Sequence, residues 1–240
     1  MNVPASIFRE NDIRGTYPEQ INESTIKLIA YAIARKCKKQ GISSLAVGRD
    51  GRISGPSLLE SFCDGLLEAN IDVNNIGLVT SPLLYFAAKK ETSKSGIMIT
   101  GSHNPKNHNG IKMVINDKPV SGTEIFELLG SLEENSQKGC IKYTDIKQLY
   151  LEEVSKNISA SNPGELKVVL DCGNGAAGCI APELFKKIGF SVTELYSEVD
   201  GNFPNHHPDP GKLDNLKDLI AEVNKKNADL GLAFDGDGDR

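Results

Sequence analysis

Four short apolar runs, each breaking into a loop of glycine with charged or hydroxyl residues, do most to limit the folds open to this chain. Ser44-Leu45-Ala46-Val47-Gly48 runs into Arg49-Asp50-Gly51-Arg52-Ile53-Ser54, and Gly96-Ile97-Met98-Ile99 into Thr100-Gly101-Ser102-His103-Asn104-Pro105. Leu166-Lys167-Val168-Val169-Leu170 leads to Asp171-Cys172-Gly173-Asn174-Gly175, and the stretch 228–234 to Asp235-Gly236-Asp237-Gly238-Asp239-Arg240. Short apolar runs bounded in this way read as buried strands. Between them the apolar spacing becomes helical. Ile26, Ile29, Ala30, Ile33, Ala34 and Cys37 recur on one face before a stop at Gly41, and Leu58, Leu59, Phe62, Cys63, Leu66 and Leu67 do so after Pro56. A strand over 73–79, a helix over 82–90, a turn at Asn109-Gly110 before a strand over 111–115, and amphipathic helices over 122–136 and 144–159 complete the first half. Such alternation is the signature of an α/β protein with helices on the faces of a sheet.

The pattern restarts after Ser161-Asn162-Pro163-Gly164, a turn cluster that marks a boundary. A helix over 181–188, a strand over 192–195, a Pro-rich loop over 202–211 and a helix over 213–226 follow. The chain therefore reads as two α/β units of unequal size rather than one continuous sheet. With 39% hydrophobic residues the 240-residue chain has enough apolar surface for such cores. Its net charge of −5 and lack of a basic block argue against a nucleic-acid surface. No apolar stretch reaches the roughly 18 residues of a membrane span. Five cysteines without a C-x-x-C pair read as buried free thiols, pointing to a reducing cytoplasm.

Ser102 sits at the carboxyl end of its strand, the edge where α/β sheets gather ligands. Ser, Asn and Pro favour turns on their own account, so a plain turn and a phosphoryl-carrying serine both fit. In the second reading the hydroxyl is exposed and neighbouring backbone N–H groups are free to cradle phosphate oxygens. His103 could donate to that phosphate or titrate near neutrality, or be a solvated loop residue. Asp235, Asp237 and Asp239 alternate with glycine, which lets a loop curl three carboxylates around one hard dication. The glycine position and the lack of a following glutamate exclude an EF-hand; a solvated acidic turn is the alternative. Arg14 and Lys112 are candidate cations or ordinary surface charges. Arg49 and Arg52 could bind phosphate, but ion pairing with Asp50 is the simpler role. His206 and His207 could ligate a metal, although beside prolines they fit an ordered loop better. No Walker loop, dinucleotide fingerprint or zinc spacing is present.

Together, F-R-x-x-D-I-R-G at Phe8 to Gly15, V-G-R-D-G-R at Val47 to Arg52, T-G-S-H-N-P at Thr100 to Pro105, G-I-K at Gly110 to Lys112 and D-G-D-G-D-R at Asp235 to Arg240 resemble the α-D-phosphohexomutase superfamily. Within it the pattern is most similar to the bacterial phosphomannomutase/phosphoglucomutase branch, which implies two consecutive three-layer α/β/α domains with mixed sheets, residues 1–155 and 156–240. Thr-Gly before Ser102 resembles the hexose-phosphate enzymes, whereas phosphoglucosamine mutases usually show Ser-Ala there. The resemblance implies a cytoplasmic, Mg²⁺-dependent intramolecular phosphotransferase that interconverts hexose 1-phosphate and hexose 6-phosphate. It implies a phosphoserine at Ser102 and a hexose 1,6-bisphosphate as activator and intermediate. Asp235, Asp237 and Asp239, with a phosphate oxygen on Ser102, would hold one Mg²⁺. Arg14, His103 and Lys112 would be catalytic beside Ser102, and Arg14, Lys112 and Arg240 would bind the substrate phosphate.

Two departures from the family pattern bear on function. Asn11 stands where many relatives have tyrosine. The sugar-recognition and distal phosphate-clamping loops of the family's third and fourth domains are absent from this sequence, and the strands that normally follow the acidic loop are absent too. The second domain is thus expected to be incomplete, its acidic loop frayed at the chain end, and these residues alone are expected not to turn over. A catalytically silent binding module of the same ancestry, or a phosphoglucosamine mutase relative, are the alternatives.

Overall fold

Backbone pairing over long sequence distances decides which apolar runs become neighbours. The computed structural model describes residues 3–92, 94–130, 137–158 and 163–240. Along them run β1 (Ile13–Thr16), α1 (Glu23–Lys39), β2 (Ser44–Arg49), α2 (Gly55–Glu68), β3 (Asp72–Leu78), α3 (Ser81–Glu91), β4 (Gly96–Ile99), β5 (His108–Ile115) and β6 (Lys118–Pro119). There follow α4 (Gly122–Phe126), β7 (Ile141–Tyr143), α5 (Lys147–Asn157), β8 (Lys167–Asp171), α6 (Ala181–Ile188), β9 (Ser191–Leu195), α7 (Lys217–Lys226) and β10 (Leu230–Ala233). Helix ends obey local chemistry. Asn22 and Thr25 form a reciprocal capping box at the start of α1, and Lys36, Lys38 and Lys39 in its last turn complement the helix dipole. Thr80 caps α3, with Pro82 in its first turn.

The first sheet has the order β1-β5-β4-β2-β3-β7, with β6 paired to β5. It is mixed: β4, β2, β3 and β7 run parallel, while β5 is antiparallel to both β4 and β1. Side chains alternate across it as the pleat requires. Leu45, Val47, Ile97 and Ile99 join the core under α1 and α2, whereas Ala46 and Met98 face Leu83, Leu84 and Ala87 of α3 and Leu151 of α5. That is an α/β/α sandwich. The second sheet, β10-β8-β9, is parallel throughout its three described strands. Helix α7 packs on β8 and β10, and α6 on β9. Helix α5 lies against both α3 and α6, and Ile180 shares a core cluster with Leu83 and Leu151, so the two units are packed together.

Several expected elements change on folding. Asn109 and Gly110 are not a turn but lie inside β5, because β1 adds to its outer edge with Arg14 opposite Gly110 and Gly15 opposite Asn109. A side chain at Gly110 would strike the Ile13 carbonyl, which explains the glycine as a close backbone approach rather than a bend. The helix expected over 122–136 is the short α4, and 131–136 lie outside the described residues. The helix expected over 144–159 is α5, Lys147–Asn157. All five cysteines are free; Cys37, Cys63 and Cys172 are buried, which pushes their thiols up to about 12, while Cys140 is exposed. No helix among the described residues is long and apolar enough to cross a membrane.

Candidate active site

The serine loop is built on Asp50 at the end of β2. Asp50 Oδ2 accepts the Thr100 hydroxyl at 2.7 Å and the Gly101 N–H at 3.0 Å. Thr100 Oγ1 in turn accepts the Ser102 N–H at 2.7 Å. These bonds hold Ser102 at φ 50°, a left-handed conformation that a non-glycine residue adopts only when its surroundings over-determine it. Two expectations are corrected here. The Gly101 and Ser102 N–H groups are consumed inside the loop, and Ser102 is only 2% exposed because its hydroxyl donates to Asp235 Oδ2 at 2.8 Å.

The acidic loop is a folded element rather than a frayed end. Asp235 Oδ1 accepts the N–H groups of Asp239 and Arg240 at 3.1 and 3.2 Å, and its carbonyl accepts that of Gly238 at 3.0 Å. Gly236 passes so close to the Ser102 carbonyl that a β-carbon there would collide with it. Asp237 is anchored from the first unit: its Oδ2 accepts Ser81 Oγ at 2.6 Å and Lys112 Nζ at 2.7 Å, and its carbonyl accepts the Ser81 N–H at 2.9 Å. Lys112 also reaches Asp239 Oδ2 at 2.5 Å. Burial, followed by the charge of Asp237, pushes the Asp235 carboxyl up to about 6. Burial acts the same way on Asp237, but the Lys112 charge and the Lys112 and Ser81 hydrogen bonds outweigh it and keep that carboxyl below its ordinary value. One ligand oxygen from each of Asp235, Asp237 and Asp239 can be chosen so that all lie within 4.8 Å of one another. Asp237 Oδ1 is buried without a hydrogen-bond partner. A hard dication fits this donor set, since it would satisfy that oxygen and offset the crowded charge.

The other expected residues gather here to different degrees. Arg14, 3% exposed, pairs with Asp12 Oδ2 at 2.8 Å and donates to the Thr100 carbonyl at the root of the serine loop. His103 Nδ1 lies 3.4 Å from Ser102 Oγ. Its imidazole is pulled below the usual range by burial first and then by the charge of Arg240, with Asp209 opposing. Arg240 is exposed and ties to the loop through its backbone. Arg52 pairs with Asp50 at 3.2 Å, as the simpler reading expects, and Arg49 donates to the Asp50 carbonyl. His206 bonds Asp171 at 2.9 Å and His207 donates to the His103 carbonyl at 2.6 Å, so both order the loops around the site. Ser81 escaped sequence reasoning. Its only local signal is a place at the start of a helix behind a Thr cap.

Fold and site together define an α/β protein in which a serine at one sheet edge faces a loop of three clustered carboxylates from a second sheet. The phosphoglucomutase/phosphomannomutase α/β/α domain I model matches residues 5–138, and the corresponding domain II model residues 148–240. The chain belongs to the phosphoglucomutase/phosphomannomutase family. It is 48% identical over 241 residues to the phosphomannomutase/phosphoglucomutase of Pseudomonas aeruginosa, covering 99% of this chain and 52% of that protein. It is 44% identical to the phosphoglucomutase of Neisseria gonorrhoeae, covering 100% of this chain and 53% of that protein. A crystal structure of a family protein from Burkholderia thailandensis superposes with a TM-score of 0.95 at 38% identity, over 100% of this chain and 54% of that one. The chain thus spans about half the length of the curated relatives it matches.

Proposed function

We propose that this chain supplies the phosphoryl-carrying serine and the metal loop of a phosphohexomutase that interconverts hexose 1-phosphate and hexose 6-phosphate through a hexose 1,6-bisphosphate. The observation that carries the reading is the Ser102 hydroxyl held 2.8 Å from Asp235 within a three-carboxylate cluster. The hydroxyl satisfies one buried carboxylate oxygen, but Asp237 Oδ1 beside it stays without a partner, a need that a dication shared with a phosphoserine would meet. Asp235, Asp237 and Asp239 would hold Mg²⁺ together with a phosphate oxygen on Ser102. The ion would neutralise charge on the transferring group, the main contribution a site can make to phosphoryl transfer.

The remaining steps belong to the chain's own residues. Arg14, held by Asp12 and the Thr100 carbonyl, and Lys112, held by two carboxylates, offer fixed positive charge for the substrate phosphate; Arg240 would add to it from the rim. His103, beside Ser102 Oγ, would hydrogen-bond the phosphoryl oxygens. As the sugar hydroxyl oxygen bonds phosphorus, the bond to Ser102 Oγ breaks, and the hydroxyl's proton ends on the released serine oxygen. The bisphosphate then returns its other phosphate to Ser102 by the same exchange. Relatives named for both mannose and glucose phosphates support hexose phosphates as the substrate class.

Labelled glucose 1,6-bisphosphate with Mg²⁺, followed by peptide mapping of the full-length protein, tests the assignment. Label is expected on Ser102, and Ser102→Ala should abolish conversion of glucose 1-phosphate to glucose 6-phosphate. A label on another residue with Ser102 clean would refute it.

A further inference from the structure

Arg52 is the largest side chain among the fully buried ones of the described residues. Burying a guanidinium is costly unless its donors are used, and here all five are. Nε pairs with Asp50 Oδ2 at 3.2 Å. Nη1 donates to the carbonyls of Pro105 and His108 at 2.6 and 2.9 Å. Nη2 donates to those of Ser102 and Asn104 at 2.8 and 2.7 Å. The Phe203 ring of the second unit lies over the same group, 5.5 Å from Cζ. A β-carbon on Gly101 would overlap the guanidinium itself. None of these bonds reaches the Ser102 side chain.

The loop is therefore gripped from two sides. The N–H groups of Gly101 and Ser102 are taken by Asp50 and Thr100, while the carbonyls of Ser102, Asn104, Pro105 and His108 converge on one planar cation. The turn bonds itself only in part, the Gly101 and Pro105 carbonyls accepting the Asn104 and His108 N–H groups at 2.9 Å each; it is Arg52 that gathers the carbonyls of Ser102, Asn104, Pro105 and His108 onto one group. The left-handed Ser102 needs such over-determination to persist.

We propose that Arg52 is a positioning residue for phosphoryl transfer: its fork holds the loop in the conformation that delivers Ser102 Oγ to the acidic cluster. The inference rests on the function proposed above. Lysine cannot replace the fork, since an ammonium has three donors on a flexible stem against five in a rigid plane.

The test uses the full-length protein with Arg52→Lys, which leaves Asp50 a charged partner, and Gly101→Val, which removes no group of the site but drives a branched side chain into the guanidinium. Single-turnover phosphorylation of Ser102 by glucose 1,6-bisphosphate is followed by intact mass, with Mn²⁺ affinity and the melting temperature measured alongside. Both variants should transfer at least ~30-fold more slowly, as misplacement of a reacting atom by about 1 Å allows, while Mn²⁺ affinity stays within about threefold of wild type. Transfer within threefold of wild type in either folded variant would overturn the proposal. So would a parallel loss of transfer and Mn²⁺ affinity, which marks a mere prop of the cleft. If Arg52→Lys does not fold, Gly101→Val decides alone. Wild-type protein that takes no phosphate on Ser102 would instead remove the functional reading, and this inference with it.

Discussion

Replacing Lys112 by methionine would strip the acidic cluster of its internal cation while keeping a side chain of similar length. In the structure Lys112 Nζ stands 2.7 Å from Asp237 Oδ2 and 2.5 Å from Asp239 Oδ2. Asp237 has no exposed side-chain surface, and Lys112 retains 17%. At an effective dielectric constant near 20, unit charges at that spacing attract by ~6 kcal/mol before desolvation is counted. Breaking a buried pair by deleting one partner costs about 3–5 kcal/mol, because the remaining charge is left unpaired. The partly exposed lysine and the screened Asp239 contact favour the lower end, ~3 kcal/mol. For a chain of this size that corresponds to a fall in melting temperature of ~6–12 °C. Thermal melts near neutral pH in the presence of a chelator measure it.

The pH dependence supplies a second arm. Asp237 is depressed in the folded state, so it contributes stability that is present above its unfolded value and is lost as pH falls through the folded one. The gap between wild type and Lys112→Met should accordingly be widest near neutrality and close as the solution is acidified through the carboxylate range. A gap under ~1 kcal/mol, the range of an exposed ion pair, or one that does not narrow in acid, would refute the view that Lys112 is the counter-charge of a buried carboxylate.

Two further outcomes follow from the same geometry. Gly236→Ala drives a β-carbon against the Ser102 carbonyl, a backbone atom already held by Arg52. It should cost ~1–3 kcal/mol in thermal melts and slow Ser102 phosphorylation; wild-type values in both would show that the two loops do not touch as described. The hydrogen bond to Asp171 raises the His206 imidazole above its ordinary value, with burial opposing and the His207 carbonyl assisting. Its contribution is therefore complete below the unfolded value and lost as pH rises through the folded one, so the melting-temperature advantage of wild type over His206→Asn should shrink from about pH 6 to about pH 8. An advantage that grows over that interval would reverse the assignment.

What the sequence determined by itself is what depends on near neighbours. The apolar faces of α1 and α2 were legible because helical spacing and capping are local, and Ile26, Ile29, Ile33, Leu58 and Phe62 are all buried as the periodicity implies. The serine and acidic loops stood out for a similar reason, residue types and glycine spacing being local, and the structure brings the two together. The rest was decided by contacts between distant segments. Asn109-Gly110 reads as a turn until β1 arrives to pair with it. Ser102 looks exposed until a carboxylate 133 residues away covers it, and Ser81 looks like a helix start until Asp237, 156 residues on, accepts its hydroxyl. Arg52 looks like half of an ion pair with Asp50. Only tertiary structure brings four carbonyls from 50 to 56 residues further along onto its remaining donors. Carbonyl groups are carried by every residue alike, so no side-chain pattern can announce which of them will converge; that is settled by where the folded backbone turns.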